Sequence, residues 1–376
     1  FYLVYFLPLL LVGFASSLWS LDPALSAGLA FKLVALTVIG CMVMAAAIQL
    51  PQKTCDVLKQ AIHLGVAVAG ALLLFEAATS SWLFRTVRGY DWEQVIFHPT
   101  GGINLDVAVK SGITIMSIFI WGLFINTRVG LGFAAAVFSL VLVLAWKFGA
   151  TASLIALPFG VAAAVAARLA FRPVLILMAI SFGLVMMVSP FVAHVALNGV
   201  TPATINEQIG EAPLPVSGMN RLITWKFTAG KIKEKPVLGW GLRTSRVIPG
   251  GGEKYDIVKA RENGSDKIIS REFFIPLHPH NHFLQVWMEL GALGAIAFAL
   301  AGGLLILRLL KLPTYHGRSS VMIGAIMTNI VYGQISFGVW QNWWIAGQFL
   351  SVSLLLVLLR TNGSQLCSNK KDTSLR

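Results

Sequence analysis

Long apolar runs alternate with short polar turns along most of the chain. Runs near the roughly 20 residues that span a bilayer recur about ten times, at about 2–18, 27–49, 61–80, 109–126, 129–146, 151–170, 173–196, 283–307, 319–338 and 343–360. The pattern predicts an all-α fold, a polytopic transmembrane helix bundle. Only Thr127 and Arg128 part the fourth run from the fifth.

One polar stretch, about 197–282, breaks this rhythm. It carries twelve Lys or Arg and eight Asp or Glu, half of all the acidic residues in the chain. Long ordered loops are usually functional, so the chain divides into N-terminal helices (1–196), a large loop with the active-site candidates (197–282), C-terminal helices (283–360) and a tail (361–376). A second loop, 81–107, holds Arg85, Arg88, Asp91, Glu93 and His98.

Within the large loop, Pro202, Pro213 and Pro215 argue against a helix over 201–215. From Ser217 to Lys235 the residues Leu222, Trp225, Ala229 and Ile232 recur at helical spacing, and Pro236 closes the run. This predicts an amphipathic helix near the membrane surface, with Arg221 on the face of Trp225. The following KPVLGWGLRTSR has Gly239 and Gly241 on either side of Trp240, a tight turn that brings Arg243 and Arg246 behind the helix. Residues 250–272 are Gly-rich and charged and read as a mobile flap, and Asn263-Gly264-Ser265 within them reads as a plain turn rather than a glycosylation acceptor.

Composition agrees with a membrane protein: 56% of the residues are hydrophobic and 12% are charged, far from a soluble balance. The net charge of +13 is scattered between apolar runs, which fits membrane orientation rather than nucleic acid. Lys53, Lys59, Arg128, Arg168, Arg172, Arg308, Lys311, Arg318, Lys370, Lys371 and Arg376 fall on one side, whereas Trp19, Trp82, Trp146, Trp340, Trp343 and Trp344 fall on the other. Both ends are therefore expected in the cytoplasm and the large loop outside. Phe1 opens an apolar run without a methionine, so an even number of earlier spans is expected. Cys41, Cys55 and Cys367 cannot build a disulfide framework or a Cys-based zinc site.

The large loop ends in LHPHNHFLQVWMELGALG, with His278, His280 and His282 at alternate positions before an apolar run. Three readings stand: a metal site, which would need further ligands, three polar residues marking a membrane boundary, or a general base. A neutral imidazole can take the proton of an attacking hydroxyl. Asn281 sits at the expected N-cap of the helix from Phe283, which would hold His280 at a fixed depth. The guanidinium groups of Arg221, Arg243 and Arg246 suit bidentate phosphate binding, although loop arginines often only solvate a surface or lie on anionic lipid. Lys32, Glu76, Lys110, Lys147 and Glu289 are charges inside apolar runs and mark function more often than elsewhere. His63 and His194 read as structural. A transporter using those charges is the rival of another class, but no repeat of broken helices supports it.

HPHNHFLQVWMELGALG, Arg221 with Trp225, KPVLGWG and the early SLWSLDP together resemble the O-antigen ligase and polymerase superfamily of bacterial membrane glycosyltransferases. The resemblance implies about twelve spans in the full-length form, a large periplasmic loop, and a multi-pass location in the bacterial inner membrane. It implies transfer of a glycan from undecaprenyl pyrophosphate to a sugar hydroxyl, on lipid A core for a ligase or on another repeat unit for a polymerase. No metal and no nucleotide cofactor are implied. His280 matches the family's base and Arg221 its essential loop arginine. Arg243, Arg246, Asn281, His278 and His282 are then candidates for substrate binding. Where ligases carry a Ser-Arg pair, this chain reads WKFGATASL, with Ser153 and no arginine; Lys147 is the candidate replacement, although lysine lacks the planar fork.

Overall fold

The computed structural model describes residues 2–90, 106–125, 131–208, 216–260, 266–311 and 318–361. In chain order the helices are α1 (Leu3–Ala15), α2 (Pro23–Gln49), α3 (Gln52–Ala78), α4 (Trp82–Arg88), α5 (Asp106–Phe119), α6 (Trp121–Ile125), α7 (Leu131–Lys147), α8 (Thr151–Leu169), α9 (Phe171–Ala196), α10 (Pro202–Gln208) and α11 (Val216–Glu234). Strands β1 (Lys254–Ala260) and β2 (Asp266–Phe273) follow, then α12 (His282–Arg308), α13 (Arg318–Ile335) and α14 (Asn342–Thr361). Seven helical segments are long and apolar enough to cross a membrane, and three shorter apolar ones, Leu3–Leu18, Leu131–Lys147 and Ser319–Ile335, make up the rest. These ten segments lie on the ten apolar runs. The chain is an all-α polytopic membrane protein.

The loop differs from its expectation in two places. A helix does form at Pro202, because the first helical position needs no N–H donor. Thr201 and Thr204 cap it reciprocally, Thr204 N donating to Thr201 Oγ1 at 3.1 Å and Thr201 N to Thr204 Oγ1 at 2.8 Å. Instead of a structureless flap, residues 254–260 and 266–273 form an antiparallel hairpin pairing Tyr255 with Glu272 and Asp256 with Arg271. Tyr255 and Ile257 alternate inward, against Ile205, Met219 and Ile223. That period-two pattern is what a composition-based reading passes over. Pro213, Pro215, Asn263-Gly264-Ser265, Asp91, Glu93, His98, Thr127, Arg128 and the tail 362–376 lie outside the described residues.

The chain divides into two compact units: 1–41, 175–311 and 333–346 form the first, and 42–174, 312–332 and 347–376 the second. In the first, α1 and α11 both pack on α12, around a core that includes Leu9, Leu29, Met186, Trp240, Leu242, Phe283, Val286 and Leu290. Ala229 and Ile232 of α11 are buried as the helical spacing predicts; Met219, Ile223, Thr224 and Thr228 are buried with them, while Leu222 and Trp225 are half-buried. In the second unit, Gly160 of α8 and Gly324 of α13 meet backbone to backbone beside Trp121, the small-residue contact that lets membrane helices approach closely. The Tyr332 hydroxyl is bonded there to Ser153. Glu76 accepts from the Leu83 and Phe84 amides at 2.7 and 3.2 Å, so this charge caps α4.

Candidate active site

Helix α12 breaks at Gly291, whose φ of 61° and ψ of −161° are not helical. Breaking a helix inside an apolar core frees amides and carbonyls that need new partners, and the KPVLGWG turn supplies them. Trp240 N donates to Met288 O at 2.9 Å and Gly241 N to Glu289 O at 2.8 Å, while Ala292 N and Leu293 N donate to Pro236 O at 2.9 Å and Val237 O at 3.3 Å. The two segments touch backbone to backbone. A Cβ on Gly291 would lie 2.3 Å from Val237 O, and one on Gly239 2.5 Å from the Glu289 carbonyl; neither neighbour is a side chain that could move aside.

Glu289, two residues before the break, is fully buried. Its carboxylate accepts from Arg243 N at 2.5 Å, Gln285 Nε2 at 3.0 Å, Trp340 Nε1 at 2.7 Å and Ser245 Oγ. A buried carboxylate is tolerated when its lone pairs are filled in this way. It pins the 243–246 turn and the 338–341 segment to one helix. The start of the chain joins the same knot: Trp19 Nε1 donates to Leu238 O at 3.0 Å, Leu21 N to Trp240 O at 3.2 Å, and Ser26 Oγ to Leu242 O at 2.6 Å. SLWSLDP, KPVLGWG and MELGALG, far apart in sequence, are therefore one structural object.

The histidine segment is fixed as tightly. Asn281 caps α12, Oδ1 accepting from Leu284 N at 3.0 Å while Nδ2 donates to Gln334 O at 3.1 Å. Its amide is thus engaged in structure at both ends. Trp225 Nε1 donates to Pro279 O at 2.9 Å, tying α11 to this segment one turn beyond Arg221. His280 has a φ of 56°, and Arg243 a φ of 68°. Non-glycine residues held in this left-handed region cost about 1–3 kcal/mol and cluster at functional sites.

The imidazole of His280 is oriented. Nδ1 donates to Ser336 O, which fixes the tautomer and leaves Nε2 unprotonated; among the described residues Nε2 has no hydrogen-bond partner. Burial lowers the pKa of His280 below the usual histidine range, the Ser336 bond opposes this, and the charge of Arg221 lowers it further. Arg221 and His280, 59 residues apart in sequence, are thus electrostatic neighbours. The Arg221 guanidinium is itself largely buried, which lowers its pKa, and its Nε has no hydrogen-bond partner. Guanidinium stays charged in proteins, so this is a desolvated cation with an unfilled donor.

His278 lies against His280, ring centroids 4.3 Å apart. Its Nδ1 accepts from His280 N at 3.3 Å, and its Nε2 is 3.1 Å from the Gln341 side-chain amide. Burial first, then the charges of His280, His282 and Arg246, push its pKa down to about 3, so at neutral pH it is an uncharged wedge. His278 also lines a cavity of about 400 Å³, together with Arg243, Arg246, Lys32, Glu289, Trp340 and Gln341, among others.

Arg243 and Arg246 line the cavity with His278, whereas Arg221 stands with His280. His282 is buried, beside Trp344 and Gly333, with Nε2 unpartnered, and does not line the cavity. Lys147 belongs to the second unit, exposed at the end of α7 with Nζ 5.6 Å from the Phe148 ring centroid; it is not among the residues gathered in the first unit. Among the described residues no group of three His, Cys, Asp or Glu is arranged to hold a metal ion. Ser245, Gln285, Trp340 and Gln341 carry no signal of a site role in the sequence, whereas Lys32 and Glu289 do, as ionisable residues inside apolar runs.

Residues 115–299 match the O-antigen ligase family. Proteins carrying the name "Putative polysaccharide ligase" are similar over a shorter stretch: 32% identity over 144 residues in Rickettsia conorii, 29% over 147 in Rickettsia felis and 34% over 147 in Rickettsia bellii. Each match covers 38% of this chain and 33% of the relative, so the chain spans about a third of the length of the curated relatives it matches. No solved structure matches. The family match contains both Arg221 with its turn and the HPHNH segment with the broken helix, so over residues 115–299 this multi-pass membrane protein is similar to the O-antigen ligase family.

Proposed function

We propose that the protein is a glycosyltransferase that moves an undecaprenyl-pyrophosphate-linked glycan onto a sugar hydroxyl of lipid A core, at the periplasmic face of the inner membrane. His280 Nε2 takes the proton of the acceptor hydroxyl. The acceptor oxygen attacks the anomeric carbon from the face opposite the donor bond. That carbon–oxygen bond breaks with its electron pair going to the pyrophosphate, and the configuration inverts. Arg243 and Arg246 hold the pyrophosphate in their cavity, while Arg221, beside the base, meets the negative charge that grows on the departing oxygen. Donors fixed in advance around developing charge are worth more in a desolvated site than in water. This reading needs no metal and no nucleotide.

One observation carries it: a histidine whose tautomer is set by the Ser336 carbonyl and whose pKa is lowered by the charge of a buried arginine that has an unfilled donor. The names of the Rickettsia relatives add support. The test is transfer by the purified protein from a defined polyprenyl-pyrophosphate glycan to lipid A core or to a second repeat unit. Product on lipid A core is expected; product only on the repeat unit would make the protein a polymerase instead, and no product with either acceptor would overturn the reading.

A further inference from the structure

Lys32 has no place in the chemistry described so far. It lies nine residues into α2, roughly 14 Å from the Pro23 end at 1.5 Å per residue, in a helix long and apolar enough to span the membrane. A cation at that depth is costly unless it is paired or faces a polar cavity. It faces one: Lys32 lines the cavity of Arg243 and Arg246, and the α2 N-terminus is fastened to the 238–242 turn beside it. Lys231–Glu234 and Asp256–Arg271 are ion pairs of the described residues, and neither involves these three cations. The one carboxylate lining the cavity, Glu289, already accepts four hydrogen bonds. Three cations therefore converge on a cavity of about 400 Å³ with no acid left to balance them.

We propose that Lys32 is a third ligand of the donor diphosphate, reaching from a membrane-spanning helix to the phosphate nearer the polyprenyl chain while Arg243 and Arg246 hold the other. The assignment rests on the function proposed above and extends it to a residue outside the large loop. Lysine suits the role as a point charge on a long stem. Because the ligand arrives within the membrane, a cation contributed by a span meets the lipid-proximal phosphate where a loop arginine would have to enter hydrocarbon.

The experiment is binding of farnesyl diphosphate, farnesyl monophosphate and farnesol to the purified protein in nanodiscs of zwitterionic lipid. For Lys32→Gln we expect diphosphate binding about tenfold weaker, as for the loss of one charge-assisted contact, with a shallower salt dependence and unchanged farnesol binding; Lys32→Arg should retain most of the affinity. Diphosphate binding by Lys32→Gln equal to wild type would overturn the proposal. So would an equal loss for farnesol, which would mean a packing role. Repeating the titration in anionic nanodiscs separates the sources of phosphate: competition that vanishes in Lys32→Gln would assign the site to a phospholipid headgroup and overturn the donor assignment. Lys32-dependent diphosphate binding without glycan transfer to any acceptor would uphold this proposal and overturn the transferase reading. Transfer with Lys32-independent binding would do the reverse.

Discussion

The two regions that meet at His278 differ in what they offer a substrate. One holds a single oriented base, His280, with one desolvated cation, Arg221. The other is a polar cavity with Lys32, Arg243 and Arg246 in reach of solvent or lipid. The imidazole of His278, its pKa driven down to about 3, touches His280 and also lines the cavity. The arrangement suits a reaction in which proton transfer must stay apart from charge binding. A cation cluster placed directly on the base would hold its pKa too low for it to accept a proton, whereas a remote one would not help the leaving group.

The comparison is broken most completely by removing what holds the two sides in register. Glu289→Leu leaves the Arg243 and Trp340 N–H groups, the Ser245 hydroxyl and the Gln285 amide without their acceptor. At about 1–3 kcal/mol for each buried group left unmade, the loss should exceed about 4 kcal/mol, read as failure to purify a monodisperse protein or a large fall in melting temperature. Gly291→Val should do the same through its clash with Val237 O. A stable, active Glu289→Leu protein would mean that the broken helix does not organise the site.

Next in size is the charge-binding side. Arg246→Gln should reduce transfer on the order of 10²-fold, the scale for losing one group that stabilises developing charge, and should weaken farnesyl diphosphate binding in parallel. Arg221→Gln should slow transfer with less effect on diphosphate affinity, because it stands with His280 rather than among the residues lining the cavity. Equal effects of the two variants on both readouts would erase the distinction.

The pH dependence sharpens the base side. Burial, opposed by Ser336 and aided by Arg221, lowers the pKa of His280, so the acidic limb of the rate should lie below the usual histidine range. Arg221→Gln removes one lowering influence. Its acidic limb should therefore move to higher pH, and an unmoved limb would contradict the coupling. For His278 the sign is that of a depressed group: the stability it contributes is complete above the unfolded value of about 6.5 and is lost as pH falls toward its folded value of about 3. Melting temperature should decline on acidification through that window, and less steeply in His278→Gln. The smallest effect is expected for His282→Phe. Its Nε2 is buried without a partner, so an aromatic ring should change stability by less than about 1.5 kcal/mol and leave transfer intact.

Much of this was legible in the sequence. Apolar runs of bilayer length located the spanning segments, because lipid leaves the backbone few alternatives to a helix. Gly239 and Gly241 marked a special turn, and Trp225 and Asn281 marked where α11 and α12 are anchored. What one-dimensional patterns did not carry is the partner of each feature. Gly239 was legible only as part of a turn and Gly291 only as part of a motif, until their backbones are seen to cross. The hairpin was read as a flap because its lysines and glycines outweigh the alternation of Tyr255 and Ile257. The arginines looked like one cluster because they share one loop, yet the Trp225–Pro279 bond ties the helix of Arg221 to the histidine segment, whereas the Glu289–Arg243 bond ties the 243–246 turn to the broken helix. Lys147, chosen by position alone, sits in the second unit.

The central claim is that His280 Nε2 is the base, and the initial rate of glycan transfer by purified His280→Ala at neutral pH tests it most directly. Loss of a general base predicts a fall of about 10²–10⁴-fold, with farnesyl diphosphate binding preserved in the cavity. Transfer by His280→Ala at the wild-type rate would contradict it.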